Sequence, residues 1–204
     1  MTYERIVDLL RSGKKGPKPQ FTTVHVLRIL ELAGQGYVGR KMLVRKVGLG
    51  EGSIRTIIGK LRDANLIEVK RAGVRLTNEG ERFVKSLRDE FSPGVAVPSG
   101  SATVDRENVA VAVHGSPGGE VSGIEQRDAA MAVGASGAST FLFRGGNLTF
   151  PGMNYDLEEY DPDLHAAVTG SFELEEGDMV VVGSGSDIET AYLGAIAAAV
   201  SLLG

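Results

Sequence analysis

The sequence contains no cysteine, which excludes disulfide bonds, thiolate zinc sites and cysteine nucleophiles together. It also lacks an apolar run long enough to cross a bilayer, and its first residues lack the basic-then-apolar order of a secretory signal. We therefore expect a cytoplasmic protein with no membrane partner. With 204 residues, of which 42% are hydrophobic, the chain has room for one or two globular domains.

Positive charge is scarce in the second half of the chain. Residues 93–204 contain 3 Lys plus Arg and 16 Asp plus Glu, whereas residues 1–92 contain 19 and 10. Residues 1–92 are therefore basic, as expected where phosphates are neutralised. Residues 93–204 are acidic and should be repelled by DNA. The alternative is that the basic residues are only solvated surface, but a DNA-binding pattern coincides with them.

That pattern centres on residues 51–67. Ile54, Ile58 and Leu61 recur at the spacing that lines one buried face of a helix. The opposite face carries small or polar residues, namely Gly52, Thr56, Gly59 and Asp63. An exposed glycine costs a helix about 1 kcal/mol relative to alanine, so the pattern indicates that a partner must approach the backbone closely.

Residues 68–76 follow as two short strands around a turn near Ala72–Gly73, the pattern of a basic hairpin. The runs GEGSIRT (50–56), KLRDANLI (60–67) and RLTNEG (75–80) resemble the winged helix-turn-helix of bacterial and archaeal transcription regulators of the MarR and GntR type. The resemblance covers residues 21–91. Such regulators commonly have glycine where this chain has Asn65, which also tolerates the left-handed conformation that ends a helix.

The resemblance implies how residues 21–91 are arranged. A helix capped by threonine begins near Phe21, residues 37–39 form a short strand that pairs with the wing, and a helix over 40–47 turns Met42, Leu43 and Val47 inward. Thr77 caps a closing helix. Before this domain, an amphipathic helix over 3–11 packs either on the domain's own core or on a dimer partner, and residues 12–19 form a basic Gly/Pro linker.

The resemblance also implies a double-stranded DNA partner. The second helix of the pair enters the major groove and the wing follows the backbone. The candidates for reading bases are Ser53, Arg55 and Thr56. The candidates for holding phosphates are Arg40, Lys41, Lys60, Arg62, Arg71 and Arg75.

We predict an α+β fold, with a winged helix-turn-helix followed by a small mixed α/β domain. The expected boundaries are 1–20 for the first helix and basic linker, 21–91 for the winged-helix domain, 92–104 for a linker and 105–204 for an acidic effector or dimerisation domain. The last part resembles an uncharacterised domain found behind winged helices in archaeal proteins.

Two apolar strands in that domain, 108–113 and 178–182, each lead into a Gly/Ser loop and a helix. Because ligands gather at the carboxyl ends of strands in open α/β sheets, we expect a small-molecule effector there. The candidate residues are His114, Ser116, Arg127, Asp128, Ser184 and Ser186. Two alternatives need no ligand: Ser186 and Glu189 have capping-box spacing, and Arg127 could simply pair with Asp128.

We expect no cofactor, no metal site and no catalytic residue, since the spacing of Asp161, Asp163 and His165 matches no metal site and residues 183–185 do not form a phosphate loop. The helix over 191–203 is apolar nearly all round and must be buried, either inside its own domain or in a homodimer, which we favour. Our hypothesis is a dimeric, sequence-specific DNA-binding transcription regulator with a possible small-molecule effector. The alternative is a small enzyme or metabolite-binding protein that uses the winged helix as an interaction module.

Overall fold

The computed structural model describes residues 2–11, 20–115, 121–153 and 155–203. The chain divides into two compact units, Met1–Arg88 and Asp89–Gly204. This division corrects two of the expected boundaries. The first helix belongs to the first unit, and residues 95–97, expected in a linker, form a strand in the sheet of the second unit. The predicted basic linker over 12–19 lies outside the described residues.

The first unit is mainly helical and carries one hairpin. Its elements in chain order are α1 (Thr2–Arg11), α2 (Thr23–Gly34), α3 (Arg40–Val47), α4 (Glu51–Asp63), β1 (Ile67–Lys70), β2 (Gly73–Leu76) and α5 (Asn78–Leu87). Both helices expected over residues 40–63 are present, as is the hairpin. This confirms the fold class predicted for this part of the chain.

Helix α1 packs on the core of its own unit. Ile6 is buried, and the helix contacts α2 and α5. The Tyr3 hydroxyl lies 2.9 Å from Oγ1 of Thr23, while burial raises the pKa of Tyr3 and the Thr23 hydrogen bond opposes that rise. Of the two alternatives left open for this helix, the structure shows packing on the domain's own core.

The cap residues at the helix ends adopt the conformations that the sequence predicts. Nδ1 of His25 accepts a hydrogen bond from the backbone N–H of Thr22 at 3.1 Å, and Thr77 Oγ1 accepts one from the N–H of Gly80 at 3.0 Å. Asn65 has a φ of 59°, the left-handed conformation expected after α4. Met42 departs from prediction, since 40% of its surface is exposed; it lies on the outer side of α3.

The wing is the antiparallel pair β1–β2, with Glu68 opposite Arg75 and Lys70 opposite Gly73. The turn therefore consists of Arg71 and Ala72, one residue earlier than expected. Val38 forms the short first strand and exchanges two backbone hydrogen bonds of 2.9 Å with Val74. A side chain at Gly73 would meet the Val38 carbonyl at 2.5 Å, so the close approach of these segments requires glycine there.

The second unit combines one sheet with helices. Its elements are β3 (Val95–Val97), β4 (Glu107–Val113), α6 (Ile124–Ala132), β5 (Gly137–Arg144), β6 (Asn147–Thr149), α7 (Leu157–Tyr160), α8 (Pro162–Thr169), β7 (Met179–Gly185) and α9 (Ile188–Ser201). The strand order is β3-β4-β7-β5-β6, and every neighbouring pair is antiparallel.

Both faces of this sheet are covered. Helix α9 packs on β7, β4 and α6, and its residues 191–199 are all buried. On the other face, Leu157 of α7 and Leu164 of α8 share a core with Phe141 of β5 and Val182 of β7. The apolar helix that suggested a dimer is thus buried inside its own unit.

Within the described parts of the chain, no helix combines the length and apolar character that a bilayer crossing requires.

Candidate nucleic-acid interface

Helices α3 and α4 both begin at an exposed glycine. Gly39 and Gly50 are their N-cap residues, and neither supplies a side-chain hydrogen bond to its helix. A Cβ added at either position would meet no atom of the described residues within 4 Å. Backbone N–H groups in the first turn of a helix lack partners inside the helix and bind phosphate when they are accessible. Two such helix ends are open in this unit.

The outer face of α4 is exposed at Gly52, Arg55 and Thr56, and partly exposed at Gly59. Ile54, Ile57 and Leu61 are buried beneath it, which fixes the opposite face toward the surface. Within the described part of the chain, Cβ atoms added at Gly52 and Gly59 would contact nothing within 4 Å. The two glycines do not serve packing inside this unit, as expected if a partner approaches the helix backbone.

The candidates for reading bases lie on α4 as predicted. Arg55 and Thr56 are exposed and Ser53 is half-buried. The Thr56 hydroxyl donates to the Gly52 carbonyl at 3.0 Å, so its lone pairs remain for a base donor. Arg55 has the side chain suited to the paired acceptors of guanine.

The candidates for holding phosphates fall into two groups. Arg40, Lys41 and Arg71 are exposed, and within the described ranges the structure gives none of them an ion pair. Arg62 instead pairs with Asp63 at 2.9 Å. The Lys60 ammonium donates to the Leu9 carbonyl of α1 at 2.9 Å, so it holds α1 in place, and its phosphate contact stays a prediction from charge alone.

Tyr37 and three wing residues, Glu68, Lys70 and Arg75, form a cluster that we call the wing cluster. Of these four residues, the sequence prediction named only Arg75. The Tyr37 hydroxyl donates to Glu68 at 2.8 Å, Lys70 Nζ lies 2.9 Å from the same carboxylate, and Arg75 Nε lies 3.9 Å from it. Lys70 and Arg75 also lie over the Tyr37 ring, 5.9 and 5.4 Å from its centroid. Hydrogen bonds from Lys70 and Tyr37 lower the pKa of Glu68. The wing cluster therefore orients two cations on the exposed hairpin.

An open groove of about 510 Å³ lies beside the wing cluster. Its charged lining residues are Glu68, Lys70, Arg75, Glu79 and Arg82. Glu79 pairs with Arg82 at 3.0 Å, so each cation of the groove has a carboxylate near it. This balance of charge makes the groove a poorer place for phosphate than the open face of α4.

The predicted ligand loops of the second unit do not meet. Because β4 and β7 are antiparallel, Val113 lies opposite Met179 and Glu107 lies opposite Gly185. Strands rise about 3.3 Å per residue. The carboxyl end of β4 therefore lies about 20 Å from the carboxyl end of β7, at the opposite end of the paired strands. The rule for parallel α/β sheets does not apply here, so the two loops do not form one shared site, and a ligand at either loop stays a prediction.

Ser184 also differs from its prediction. Strand β7 continues through Gly185, so this serine lies in a strand rather than a loop. It is fully buried, donates to Asn108 Oδ1 at 2.6 Å and accepts from the N–H of Val104 at 3.1 Å. Added Cβ atoms at Gly183 and Gly185 would meet the backbone of α9. The Gly-Ser-Gly run thus allows α9 to pack closely, and Ser184 is not accessible to a ligand.

The cap of α9 is shifted by one residue from the expected one. Asp187, not Ser186, is the N-cap, and its Oδ1 accepts from the N–H of Thr190 at 3.0 Å. Hydrogen bonds from the Thr190 backbone and side chain lower the pKa of Asp187. The Ser186 carbonyl accepts from Arg106 Nε at 2.9 Å. These contacts explain the turn without a ligand.

The remaining ligand candidates are separated. The exposed side chains of Arg127 and Asp128 pair with each other at 2.8 Å, as the alternative held. His114 Nδ1 lies 3.1 Å from Asp178 Oδ2, and Ser116 lies outside the described residues. In the described ranges, no cluster of three His, Asp or Glu side chains could hold a metal ion.

Burial alone would raise the pKa of Asp178, but hydrogen bonds from the backbone N–H groups of Gly115 and Glu175 and from His114 together lower it. This carboxylate fixes the start of β7 to the end of β4, with N···O distances of 2.9 Å to Gly115 and 3.1 Å to Glu175. The role of Asp178 is therefore structural.

The order α2, α3, α4 and wing, with Val38 paired to the wing, defines a winged helix-turn-helix unit. Residues 23–91 match the family model of the CggR N-terminal DNA binding domain. The first unit is therefore a DNA-binding domain, which supports a DNA-binding regulator. Membership of the MarR or GntR families stays a prediction.

The second unit and the whole chain also have relatives. Residues 104–202 match a domain of unknown function, DUF4443. The chain is similar to the solved structure of a hypothetical protein from Pyrococcus horikoshii OT3, with 28% sequence identity and a TM-score of 0.74, over 88% of this chain and 91% of that chain. No curated protein matches the chain.

Proposed function

We propose that this protein is a sequence-specific transcription regulator that binds double-stranded DNA through α3, α4 and the wing. The observation that carries the proposal is the outer face of α4, where a Cβ added at Gly52 or Gly59 would meet no atom of the described residues within 4 Å and Arg55 is exposed. A glycine-lined helix that reaches the major groove can bring its backbone close to the duplex. The proposal assigns no catalytic role to either unit.

Charges and helix ends around that face support the proposal. Arg40 and Lys41 lie in the first turn of α3, and Arg71 lies at the tip of the wing. Contacts from such cations and from helix N-termini to phosphates set the position of a protein on DNA, whereas side chains on base edges give specificity. We assign the first role to these three residues and the second to Ser53, Arg55 and Thr56.

We extend the proposal to a homodimer whose acidic unit binds a small-molecule effector. Dimers read paired half-sites, and an effector that prefers one of two arrangements of the dimer would change DNA affinity by its difference in affinity for the two. We place the effector near His114, which is about a third exposed and is held at Nδ1 by Asp178. A thermal-shift screen of metabolites against the wild type and His114→Ala tests this part.

The main test is fluorescence-anisotropy binding of the full-length protein to its own upstream DNA and to a scrambled duplex, over a salt series. We expect tighter binding to the upstream DNA, with the preference retained as salt rises. Equal binding to both duplexes, with the same release by salt, would leave only non-specific phosphate contact and would contradict the proposal.

A further inference from the structure

Helix α6 carries an exposed stripe that its own unit does not cover. Gln126 and Ala130 are buried against the unit. The outward stripe, which we call the α6 stripe, consists of Ile124, Arg127, Asp128 and Met131. Ile124 and Met131 are each 53% exposed, and the spacing of the four residues places them on one side of a helix.

The α6 stripe is complementary to itself. In a two-fold pair of antiparallel α6 helices with its axis between positions 127 and 128, Arg127 of one copy faces Asp128 of the other. The same axis places Ile124 of one copy opposite Met131 of the other. Two reciprocal ion pairs then lie between two apolar contacts, which is the arrangement that an isologous interface requires.

Charge in this unit restricts where two copies can meet. Residues 89–204 contain 18 Asp plus Glu and 3 Arg, so most pairs of surfaces would bring carboxylates together. Arg127 is one of those three arginines, and it lies between exposed apolar side chains. Arg127 now pairs with Asp128, its neighbour on the same helix, at an exposed site. Such surface pairs are worth about 0–1 kcal/mol. Breaking this pair so that Arg127 binds Asp128 of a partner copy therefore costs little.

The apolar part of the surface extends beyond the helix. Val104 is 55% exposed, and both its side chain and Arg127 Cγ would lie within 4 Å of a Cβ added at Gly137. Val104 thus flanks the base of the Arg127 side chain and widens the surface available to a partner copy.

We infer that the α6 stripe is the homodimer interface of this protein. This inference rests on the proposed function. It adds to that function the surface through which two copies, each with one DNA-binding unit, would pair. The buried helix α9 cannot fill that role, because its own sheet and α6 cover it.

The test is sedimentation equilibrium of the full-length protein without DNA, so its outcome is independent of DNA binding. We expect the wild type to dimerise and Arg127→Asp and Asp128→Arg each to weaken the dimer by about tenfold or more, because each places like charges opposite each other. An equimolar mixture of the two variants should restore association, as should the double swap R127D/D128R.

The matched controls are Arg144→Asp and Glu173→Arg, which make comparable charge changes at exposed positions of the same unit and should leave the dimer intact. Circular dichroism checks that every variant is folded. A wild type that remains monomeric, or single variants that dimerise as well as the wild type, would overturn the inference.

A second readout uses the absence of cysteine in the chain. When equimolar amounts of the variants Ile124→Cys and Met131→Cys are mixed under mild oxidation, we expect the disulfide-linked heterodimer to exceed clearly the half of all cross-linked dimers that random pairing would give. The random 1:2:1 distribution of homodimer, heterodimer and homodimer, or less heterodimer than that, would show that the predicted register is absent.

Discussion

The two units of this protein use the same kinds of residue in opposite ways. In the first unit, glycines on α4 and at the starts of α3 and α4 face open space. In the second unit, Gly183 and Gly185 lie against the backbone of α9. A glycine within a buried strand here allows close packing of a helix, whereas the glycines of α4 have no such packing role, in agreement with the proposed approach of DNA.

Polar side chains show the same contrast. Arg55 and Arg71 of the first unit are exposed, whereas Ser184 and Asp178 of the second unit are buried and hydrogen-bonded to their own chain. These polar groups of the first unit are therefore exposed, whereas the comparable groups of the second unit hold its sheet together. The predictions below test this contrast, beginning with the largest effect.

The packing role of Gly183 predicts the largest loss of stability. Its added Cβ would lie 2.5 Å from the Ala191 carbonyl oxygen and closer still to the Ala195 amide, and neither backbone atom can move without shifting α9. We expect Gly183→Ala to destabilise the protein by about 3 kcal/mol, measured by urea unfolding followed by circular dichroism. Wild-type stability in this variant would show that Gly183 is not fixed by packing.

The buried carboxylate of Asp178 predicts a pH-dependent loss. Its folded pKa lies below the unfolded value near 4, so its contribution is present above about pH 4 and disappears as the pH falls through the folded pKa. Asp178→Asn should cost about 2–3 kcal/mol at pH 7, because an amide cannot accept all the bonds that a carboxylate accepts.

The measurement for Asp178 is the free energy of unfolding of both proteins as a function of pH. Convergence of the two curves below about pH 4 is expected. A constant gap across the whole pH range would mean that the carboxylate charge is not what stabilises this contact.

In the first unit, substitutions of two arginines should distinguish sequence specificity from overall affinity for DNA. Arg55→Ala should reduce the preference for upstream over scrambled DNA by about 2 kcal/mol. Arg71→Ala should weaken binding to both duplexes alike and reduce the salt dependence. Anisotropy titrations of both variants on both duplexes measure this; the division of roles fails if both variants lose equally on both duplexes.

Gly59 should give the smallest effect on stability and the sharpest contrast with Gly183. Nothing blocks a Cβ there, so Gly59→Ala should stabilise α4 by about 1 kcal/mol through helix propensity. The same methyl group would project toward the duplex and should weaken DNA binding. Thermal unfolding and anisotropy titration check the two parts, and unchanged DNA affinity would show that α4 does not approach DNA on this face.

Much of the fold follows from local patterns. The spacing of Ile54, Ile58 and Leu61 predicts α4, the Thr77 cap predicts the start of α5, and Gly145–Gly146 predicts the β5–β6 hairpin, whose two glycines have φ of 61° and 84°. Each of these signals acts over a few residues, so neighbouring sequence is enough to read it.

The predictions fail where the structure depends on pairing between segments that are distant in the sequence. The sequence does not show whether β4 and β7 are parallel, and the antiparallel register places their two Gly/Ser loops far from each other. The wing cluster was missed for a similar reason. Placing the turn one residue late puts Glu68 opposite Thr77 rather than Arg75, which hides the cross-strand ion pair.

The measurement that tests the account most directly is hydrogen exchange, read by mass spectrometry, of the full-length protein with and without its upstream duplex. We predict new protection in peptides from α3, α4 and the wing, and unchanged exchange in β4 and β7. No protection in α4, or protection confined to the second unit, would contradict the assignment of the open α4 face as the DNA-binding surface.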